Sequence, residues 1–264
     1  MNDPHVETLY YLVKQKEDVS YENAQPLLGE TDNFHVILNS KEAVFKMKKH
    51  FATDQEARTI VDEYLKRYKI IIDIEHSPDE LSFVFERSEI IDRNPIVNGC
   101  NVILPHITIE EKAAIAGIII PFQNRVKFPE LPKRFALSTD VETLYLRYKL
   151  YKEGRELITS MSYMCLTVIQ ASAEGKNTKE QRENAVKKYN IHPDILKTLG
   201  DLCSMKGDRA EARKTTNRNY IPLTPQERNW IESVIKIFIR RLGEYADDPD
   251  AHLNLLTMSS LPPL

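Results

Sequence analysis

The sequence predicts an α+β protein in which a strand-rich N-terminal domain with one packed helix precedes an all-α C-terminal helical bundle. Three observations predict this class. Apolar and polar residues alternate in short runs over the first third of the chain, residues after about 138 follow helical spacing alone, and prolines interrupt the patterns between the two parts. Strands and helices that are separated along a chain are typical of α+β proteins. We therefore expect a strand-rich α+β domain over residues 1–120, a proline-containing linker over 121–137, a helical bundle over 138–246 and a C-terminal tail over 247–264.

The first strands are predicted from apolar or β-branched residues that share a parity. Three such runs occur before residue 50: Val6, Thr8, Tyr10 and Leu12; Phe34, Val36 and Leu38; and Ala43, Phe45 and Met47. A period of two places the side chains of each run on one face of a strand. Residues 39–42, Asn-Ser-Lys-Glu, form a turn between the second and third runs, so we expect antiparallel pairing.

One helix interrupts the strands. Thr53 and Glu56 have the spacing of a capping box, in which each side chain accepts a hydrogen bond from the other residue's backbone amide, and apolar residues follow at helical spacing as far as Tyr68. Two apolar runs, 70–74 and 81–85, then flank a His-Ser-Pro-Asp sequence that favours a turn. We predict a β-hairpin there.

The middle of the chain has weaker patterns. Residues 102–104 predict a further strand, and a short helical pattern begins at Thr108 and should end at Pro121. Pro129 and Pro132 then stand among charged residues that show no sustained period. We place the domain boundary here.

Helical spacing dominates the second half of the chain. A long apolar face begins at a capping-box sequence, 139–142, and continues to about Ala173, with Gly154 placed to kink the helix or to split it in two. Shorter helices are predicted at 178–189 and 193–202. We expect these helices to form the bundle.

The final helix, 224–245, is predicted by three signals that agree. Thr224 and Glu227 form a capping box, Pro225 occupies a position where its missing amide hydrogen costs nothing, and apolar residues recur on one broad face. A face of this width needs more than one neighbour, so we expect the helix to lie in the core. The tail that follows is expected to lie along the surface or to be mobile.

Composition limits the classes of protein to which this chain can belong. Hydrophobic residues make up 42% of its 264 residues, which is enough for a sizeable core without disulfides. Cys100, Cys165 and Cys203 form no C-x-x-C pair, so we expect buried free thiols. The sequence has no basic N-terminal region followed by an apolar run and no stretch of about 18 apolar residues. We therefore expect a cytoplasmic protein with no membrane partner.

The motifs of common enzymes are missing from the sequence. It has no G-x-x-x-x-G-K-[ST], G-x-G-x-x-G, G-x-S-x-G or H-E-x-x-H, and its seven histidines lack metal-ligand spacing. We assign no catalytic or metal-binding residue and expect no cofactor, although a metal site assembled from distant residues stays open.

One acidic cluster, Asp73, Glu75, His76 and Asp79, has two interpretations. It is either a solvated strand end or, with Asp73 and Glu75 on one strand face, a set of carboxylate ligands for a divalent metal.

The most informative polar stretch, which we call the basic segment, is 206–220. Its five cations and two acids leave a local charge of +3, although the whole chain carries −3. The candidate nucleic-acid-binding residues are Lys206, Arg209, Arg213, Lys214, Arg218 and Tyr220. Guanidinium groups can form paired hydrogen bonds with phosphate, and a tyrosine ring can stack on an unpaired base. The alternative is a solvated basic edge, or arginines that pair with acids such as Glu142, Glu153 or Glu156.

The order of elements in residues 138–246 resembles the HEPN domains of prokaryotic ribonucleases and of toxin and phage-defence proteins. The hallmark of that family is an arginine, usually followed by a polar residue, with a histidine four to six residues later. Arg209 stands at the arginine position, but Ala210 follows it and residues 213–215 are Arg-Lys-Thr. The group expected to transfer protons in RNA cleavage is therefore missing. The resemblance implies a non-catalytic relative that retains RNA binding or dimerisation, in a defence or toxin–antitoxin context.

Three functional hypotheses follow. The first is a non-catalytic binding or regulatory protein whose helical domain contacts RNA or another anion through a basic edge and pairs as a homodimer. The second is a HEPN-like, metal-independent ribonuclease with atypical residues, for which His192 is the nearest candidate base, although its place before Pro193 also suits a helix cap or a surface position. The third is a protein–protein scaffold, which predicts an exposed apolar patch.

Overall fold

The structure is a computed structural model that describes residues 2–94, 123–130, 134–207, 221–250 and 252–264. The chain forms two compact units, Met1–Leu131 and Pro132–Leu264. Within the described residues, the first unit contains a five-stranded sheet, a two-stranded sheet and one helix, and the second contains five α-helices. The predicted α+β class is confirmed.

Five strands of the first unit form an antiparallel sheet. In chain order the described strands of this unit, seven in all, are β1 (Pro4–Gln15), β2 (Val19–Ser20), β3 (Leu27–Glu30), β4 (Phe34–Leu38), β5 (Glu42–Met47), β6 (Leu81–Asp92) and β7 (Gln123–Asn124). The sheet order is β3-β4-β5-β1-β6, and β2 pairs in parallel with β7. The three strands predicted before residue 50 are confirmed as β1, β4 and β5.

Helix α1 (Asp54–Glu75) covers one face of this sheet. Its predicted capping box is formed, because Thr53 accepts a hydrogen bond from the amide of Glu56 and Glu56 accepts one from the amide of Thr53. Aromatic rings pack edge to face at the core, with centroids 5.1 Å apart for Phe34 and Phe45 and 5.2 Å apart for Phe34 and Tyr64. The inward-facing residues of the strands and the apolar face of α1 together form the core of the first unit.

The predicted hairpin over residues 70–85 is wrong. Residues 70–74 belong to the last turns of α1, and 81–85 begin β6, which pairs with β1. The apolar residues in these turns are all buried: Ile70, Ile71, Ile72 and Ile74. A stretch that is apolar on every side has no period that separates a strand from a helix, and its β-branched residues favoured the strand.

Residues 123–130, which were predicted to be part of a linker, belong to the first unit. β7 pairs with β2, and the ring of Phe128 stacks on that of Tyr21 with centroids 4.6 Å apart. The hydroxyl of Tyr68 donates to the carbonyl of Pro129 at 2.9 Å. Three other predictions lie outside the described residues: the strand at 102–104, the helix that begins at Thr108, and the burial of Cys100.

The second unit is built from helices. They are α2 (Thr139–Lys152), α3 (Ile158–Ala171), α4 (Thr178–Lys188), α5 (Pro193–Met205) and α6 (Pro225–Asp247), followed by a 3₁₀ turn at Met258–Ser260. The long apolar face predicted from 139 to 173 is divided between two helices, α2 and α3. The helical structure is interrupted around Gly154, whose φ of 71° lies in the left-handed region.

The N-cap of α2 is Ser138, one residue before the predicted cap. The Ser138 hydroxyl accepts a hydrogen bond from the amide of Val141 at 3.3 Å, and Thr139 is the first helical residue. Either residue type can cap a helix. The glutamate at position 142 favoured Thr139, because it completed an apparent capping box.

The last helix, α6, lies in the core of the second unit, as predicted. Its capping box between Thr224 and Glu227 is formed, and its buried face contacts α2, α3 and α5. Cys165 and Cys203 are free and buried, as predicted. Among the described helices, none has the length and apolarity that crossing a membrane requires.

The described part of the C-terminal tail is anchored to the second unit. Leu256 is buried and forms an isolated parallel β-bridge with Ile191. Its carbonyl accepts from the amide of His192 at 2.8 Å, and its amide donates to the carbonyl of Asn190 at 2.9 Å. The Asn190 side chain also donates to the carbonyl of Leu253 at 2.6 Å. These contacts favour the expectation that the tail lies along the surface.

Candidate nucleic-acid interface

Gly207, near the start of the basic segment, lies beside Ile221, the residue that follows the segment. α5 ends at Met205, α6 begins at Pro225, and the amide of Gly207 donates to the carbonyl of Ile221 at 2.8 Å. Gly207 has a φ of 127°, a conformation that side chains rarely adopt, so glycine is required where the chain leaves α5. The described residues on either side of positions 208–220 are therefore adjacent.

The structure describes one of the six candidate nucleic-acid-binding residues, Lys206. The other five lie outside the described residues and stay predictions: Arg209, Arg213, Lys214, Arg218 and Tyr220. Lys206 Nζ donates a short hydrogen bond to Oε1 of Glu227, in the first turn of α6. Although burial opposes ionisation, this bond and the amide of Thr224 lower the pKa of Glu227. Lys206 therefore joins the end of α5 to the start of α6.

Two of the acids considered as partners for the arginines already have cations. Glu153 pairs with Arg155 at 3.3 Å, and Glu156 pairs with Arg147 at 3.1 Å. Glu156 is also largely buried, with its side chain 10% exposed. These pairs weaken the alternative in which acids next to α2 neutralise the basic segment.

Two apolar side chains are exposed where the basic segment begins and ends. Met205 is 76% exposed and Ile221 is 54% exposed. Their exposure cannot be read from the sequence, because each residue continues an apolar pattern. They add an apolar margin to a region whose sequence is rich in cations.

The acidic cluster at residues 73–79 lies at the end of helix α1 and in the residues after it, so Asp73 and Glu75 do not share a strand face. Asp73 is fully buried on α1, and its carboxylate accepts from Lys69 Nζ at 2.8 Å and from the amide of Asp79 at 3.1 Å. Lys69 also contacts the carboxylate of Asp79 at 2.8 Å. The described residues contain no group of three or more His, Cys, Asp or Glu side chains that could hold a metal ion.

A buried ion pair beside this cluster was missed from the sequence. The fully buried carboxylate of Glu80 accepts two hydrogen bonds of 2.8 Å from Arg125 and one of 2.7 Å from the hydroxyl of Tyr21. Burial opposes the ionisation of Glu80, but these donors lower its pKa. The arrangement attaches residues 123–130 to the first unit, so we assign it a structural role.

His192, the candidate base of the ribonuclease hypothesis, caps α5. Its Nδ1 accepts from the amide of Asp194 at 3.4 Å, and Pro193 occupies the first turn. The capping role that the sequence suggested is confirmed, and it accounts for the position of the ring.

Comparison with known proteins assigns no family. No family model matches the sequence, and neither curated proteins nor solved structures yield a match. Function must therefore be inferred from the residues and their geometry.

Proposed function

We propose that this chain is a non-catalytic RNA-binding protein whose basic segment contacts the RNA backbone. The observation that carries the proposal is the hydrogen bond from Gly207 to Ile221, which holds the two residues that flank positions 208–220 together. Because these flanking residues are adjacent, covalent geometry limits the reach of the residues between them to roughly 22 Å. This limit supports a concentration of their cations in one region of the second unit.

Charge supports a polyanionic ligand. Residues 208–220 carry four cations, at 209, 213, 214 and 218, against Asp208 and Glu211. Each cation that neutralises a phosphate releases counterions, and this contribution does not depend on the nucleotide sequence. Lys206 adds no free charge because Glu227 neutralises it, but their ion pair ties the start of the segment to α6.

Unpaired RNA is a better ligand than a small inorganic anion. Tyr220 directly precedes Ile221 in the chain, and an aromatic ring there offers a stacking surface to a base. The exposed side chains of Met205 and Ile221 supply apolar area beside it. A small anion would use the cations and leave these apolar groups in water.

Affinity for RNA tests the proposal. Fluorescence anisotropy with a fluorescein-labelled single-stranded RNA pool of about 20 nucleotides compares the wild type with the double variant R209A/R213A. We expect the Kd to rise at least about tenfold, since two phosphate contacts are removed. The control K176A/K179A removes the same charge from exposed positions beside and on α4, and its Kd should change less than about twofold. Equal affinities for all three proteins would refute the proposal.

A cleavage assay separates this proposal from the ribonuclease hypothesis. Purified protein is incubated with the same RNA pool, with and without a divalent metal, and the products are resolved by gel electrophoresis. We expect intact RNA under both conditions, because the histidine of the resembling family is missing and His192 caps a helix. Cleavage that R209A/R213A abolishes would replace the proposed function with the enzymatic one.

A further inference from the structure

One face of the five-stranded sheet is apolar where an antiparallel sheet that meets water usually carries polar residues. α1 covers the opposite face. Cross-strand pairing aligns four outward-facing residues in one row across four strands: Leu28 on β3, Ile37 on β4, Val44 on β5 and Tyr10 on β1. Leu12 and Val84, which pair with each other beside this row, extend the apolar surface.

The residues of this apolar row are accessible. Leu28 is 73% exposed and Ile37 is 47% exposed, while Val44 and Tyr10 are partly exposed. Single exposed apolar residues are common, but a contiguous row across a sheet indicates an interaction surface. This is the patch that the scaffold hypothesis predicts, and it lies in the first unit.

The charges around the apolar row do not favour a strongly charged ligand. Arg87 stacks on the ring of Tyr10 at 3.5 Å and pairs with Glu89 at 3.4 Å, and Lys48 pairs with Glu30 at 2.8 Å. These cations and acids neutralise each other within the chain. The surface therefore suits a partner that carries no large net charge, and not a nucleic acid.

Two further charges on β5 point to a specific partner. Glu42 and Lys46 lie two residues before and after Val44, so both project from the same face on opposite sides of the apolar row. Within the described residues Glu42 forms no ion pair, and Lys46, whose side chain is 67% exposed, pairs with Glu7 at 3.6 Å. Glu42 is therefore open to an opposite charge on the molecule that covers the row, and the exposed Lys46 can exchange Glu7 for one.

We propose that a second copy of this chain covers the apolar row, so that the protein is a homodimer through the sheet of its first unit. A two-fold axis that runs parallel to the row, midway between the two sheets, places Ile37 and Val44 opposite the same residues of the partner subunit. The same axis brings Lys46 of each protomer opposite Glu42 of the other, which forms two equivalent ion pairs. Isologous packing of this kind is the commonest way in which identical subunits assemble, and face-to-face sheets pack about 10 Å apart.

This assembly differs from the homodimer through the helical domain that the resemblance implied. The contacts proposed here all come from the sheet of the first unit, and none involves a residue of the basic segment. RNA binding by the basic segment and dimerisation through the sheet can therefore be tested independently.

Sedimentation velocity on the full chain over a range of concentrations tests the dimer. The wild type should sediment as a dimer, and I37K should raise the dimer dissociation constant about thirtyfold or more, because it puts a charge at the centre of the row. The control L146K changes a residue of α2 that is 54% exposed, and it should remain as dimeric as the wild type. Far-UV circular dichroism confirms that each variant is folded. A monomeric wild type, or I37K that dimerises as well as the wild type, would overturn the proposal.

A charge exchange tests the orientation of the axis. E42K and K46E each place like charges opposite one another across the interface, so each should weaken the dimer. The double variant E42K/K46E restores opposite charges and should recover most of the lost affinity. A dimer dissociation constant for E42K/K46E that is no lower than those of the single variants would contradict the two-fold arrangement.

Discussion

The guanidinium of Arg125 forms two hydrogen bonds of 2.8 Å with the buried carboxylate of Glu80, a residue 45 positions earlier in the chain. Tyr21 donates a third at 2.7 Å, so three separate segments of the first unit meet at one carboxylate. Residues on either side of Arg125 pair with β2 or pack on Tyr21. The ion pair thus attaches a short segment that has little regular structure of its own.

Replacing Arg125 by methionine should destabilise the first unit by about 3 kcal/mol at pH 7. The substitution leaves the Glu80 carboxylate buried without its main partner, and an uncompensated buried charge is costly. Denaturation with urea, followed by circular dichroism, measures the change. R134M is a suitable control, since Arg134 pairs with Asp248 at 2.7 Å in an exposed position and should contribute less than about 1 kcal/mol.

The effect of R125M should depend on pH. In the wild type the pKa of Glu80 is lowered despite burial, so the stabilisation is present above the pKa of an unfolded glutamate and is lost as the pH falls through the folded value. In R125M the carboxylate of Glu80 keeps the hydrogen bond from Tyr21 but loses both bonds from Arg125. Burial is then less well offset, so the pKa of Glu80 should rise and protonation should relieve the buried charge. The difference in stability between the two proteins should therefore shrink as the pH is lowered from 7 to about 4. A difference that stays constant would show that Glu80 is not its source.

Substitution by alanine at two helical glycines, Gly243 and Gly200, should change the stability of the second unit in opposite directions. A Cβ on Gly243 of α6 would lie 2.2 Å from the ring of Phe135, so G243A should destabilise the second unit by about 2 kcal/mol. A Cβ on Gly200 of α5 would make ordinary contacts at 3.5 Å and 3.6 Å, so G200A should stabilise it by up to about 1 kcal/mol. Thermal unfolding of both variants checks the signs. Equal effects would contradict the packing of Phe135 on α6.

The position of the α2 cap can be tested by substituting its two neighbouring hydroxyl residues. S138A should cost about 1 kcal/mol, because it removes the acceptor for the amide of Val141. T139A should change stability by less than about 0.5 kcal/mol, since Thr139 is exposed and is the first helical residue. A larger loss of stability from T139A than from S138A would indicate that Thr139 is the N-cap.

Local patterns in the sequence were enough to predict much of the fold. Thr53 with Glu56 and Thr224 with Glu227 mark the starts of α1 and α6, because a capping box depends on residues only three positions apart. Alternation predicted β1, β4 and β5, since one of their faces is buried beneath α1.

Features that depend on distant contacts were not predicted. The end of α1 is buried on every side, so its isoleucines follow no period, and only the fold decides that they are helical. Arg125 stands in a segment without a pattern, and nothing in the sequence pairs it with Glu80. At the candidate site the sequence identifies the cations, but it cannot show that Gly207 and Ile221 meet or that Glu227 neutralises Lys206.

The salt dependence of RNA binding tests the central claim most directly. For single-stranded RNA the slope of log K against log salt concentration is about −0.7 for each phosphate that the protein neutralises. The account predicts that R209A/R213A lowers the magnitude of this slope by about 1.4, while K176A/K179A leaves it unchanged. A slope that is the same for R209A/R213A and the wild type would contradict the assignment of RNA binding to the basic segment.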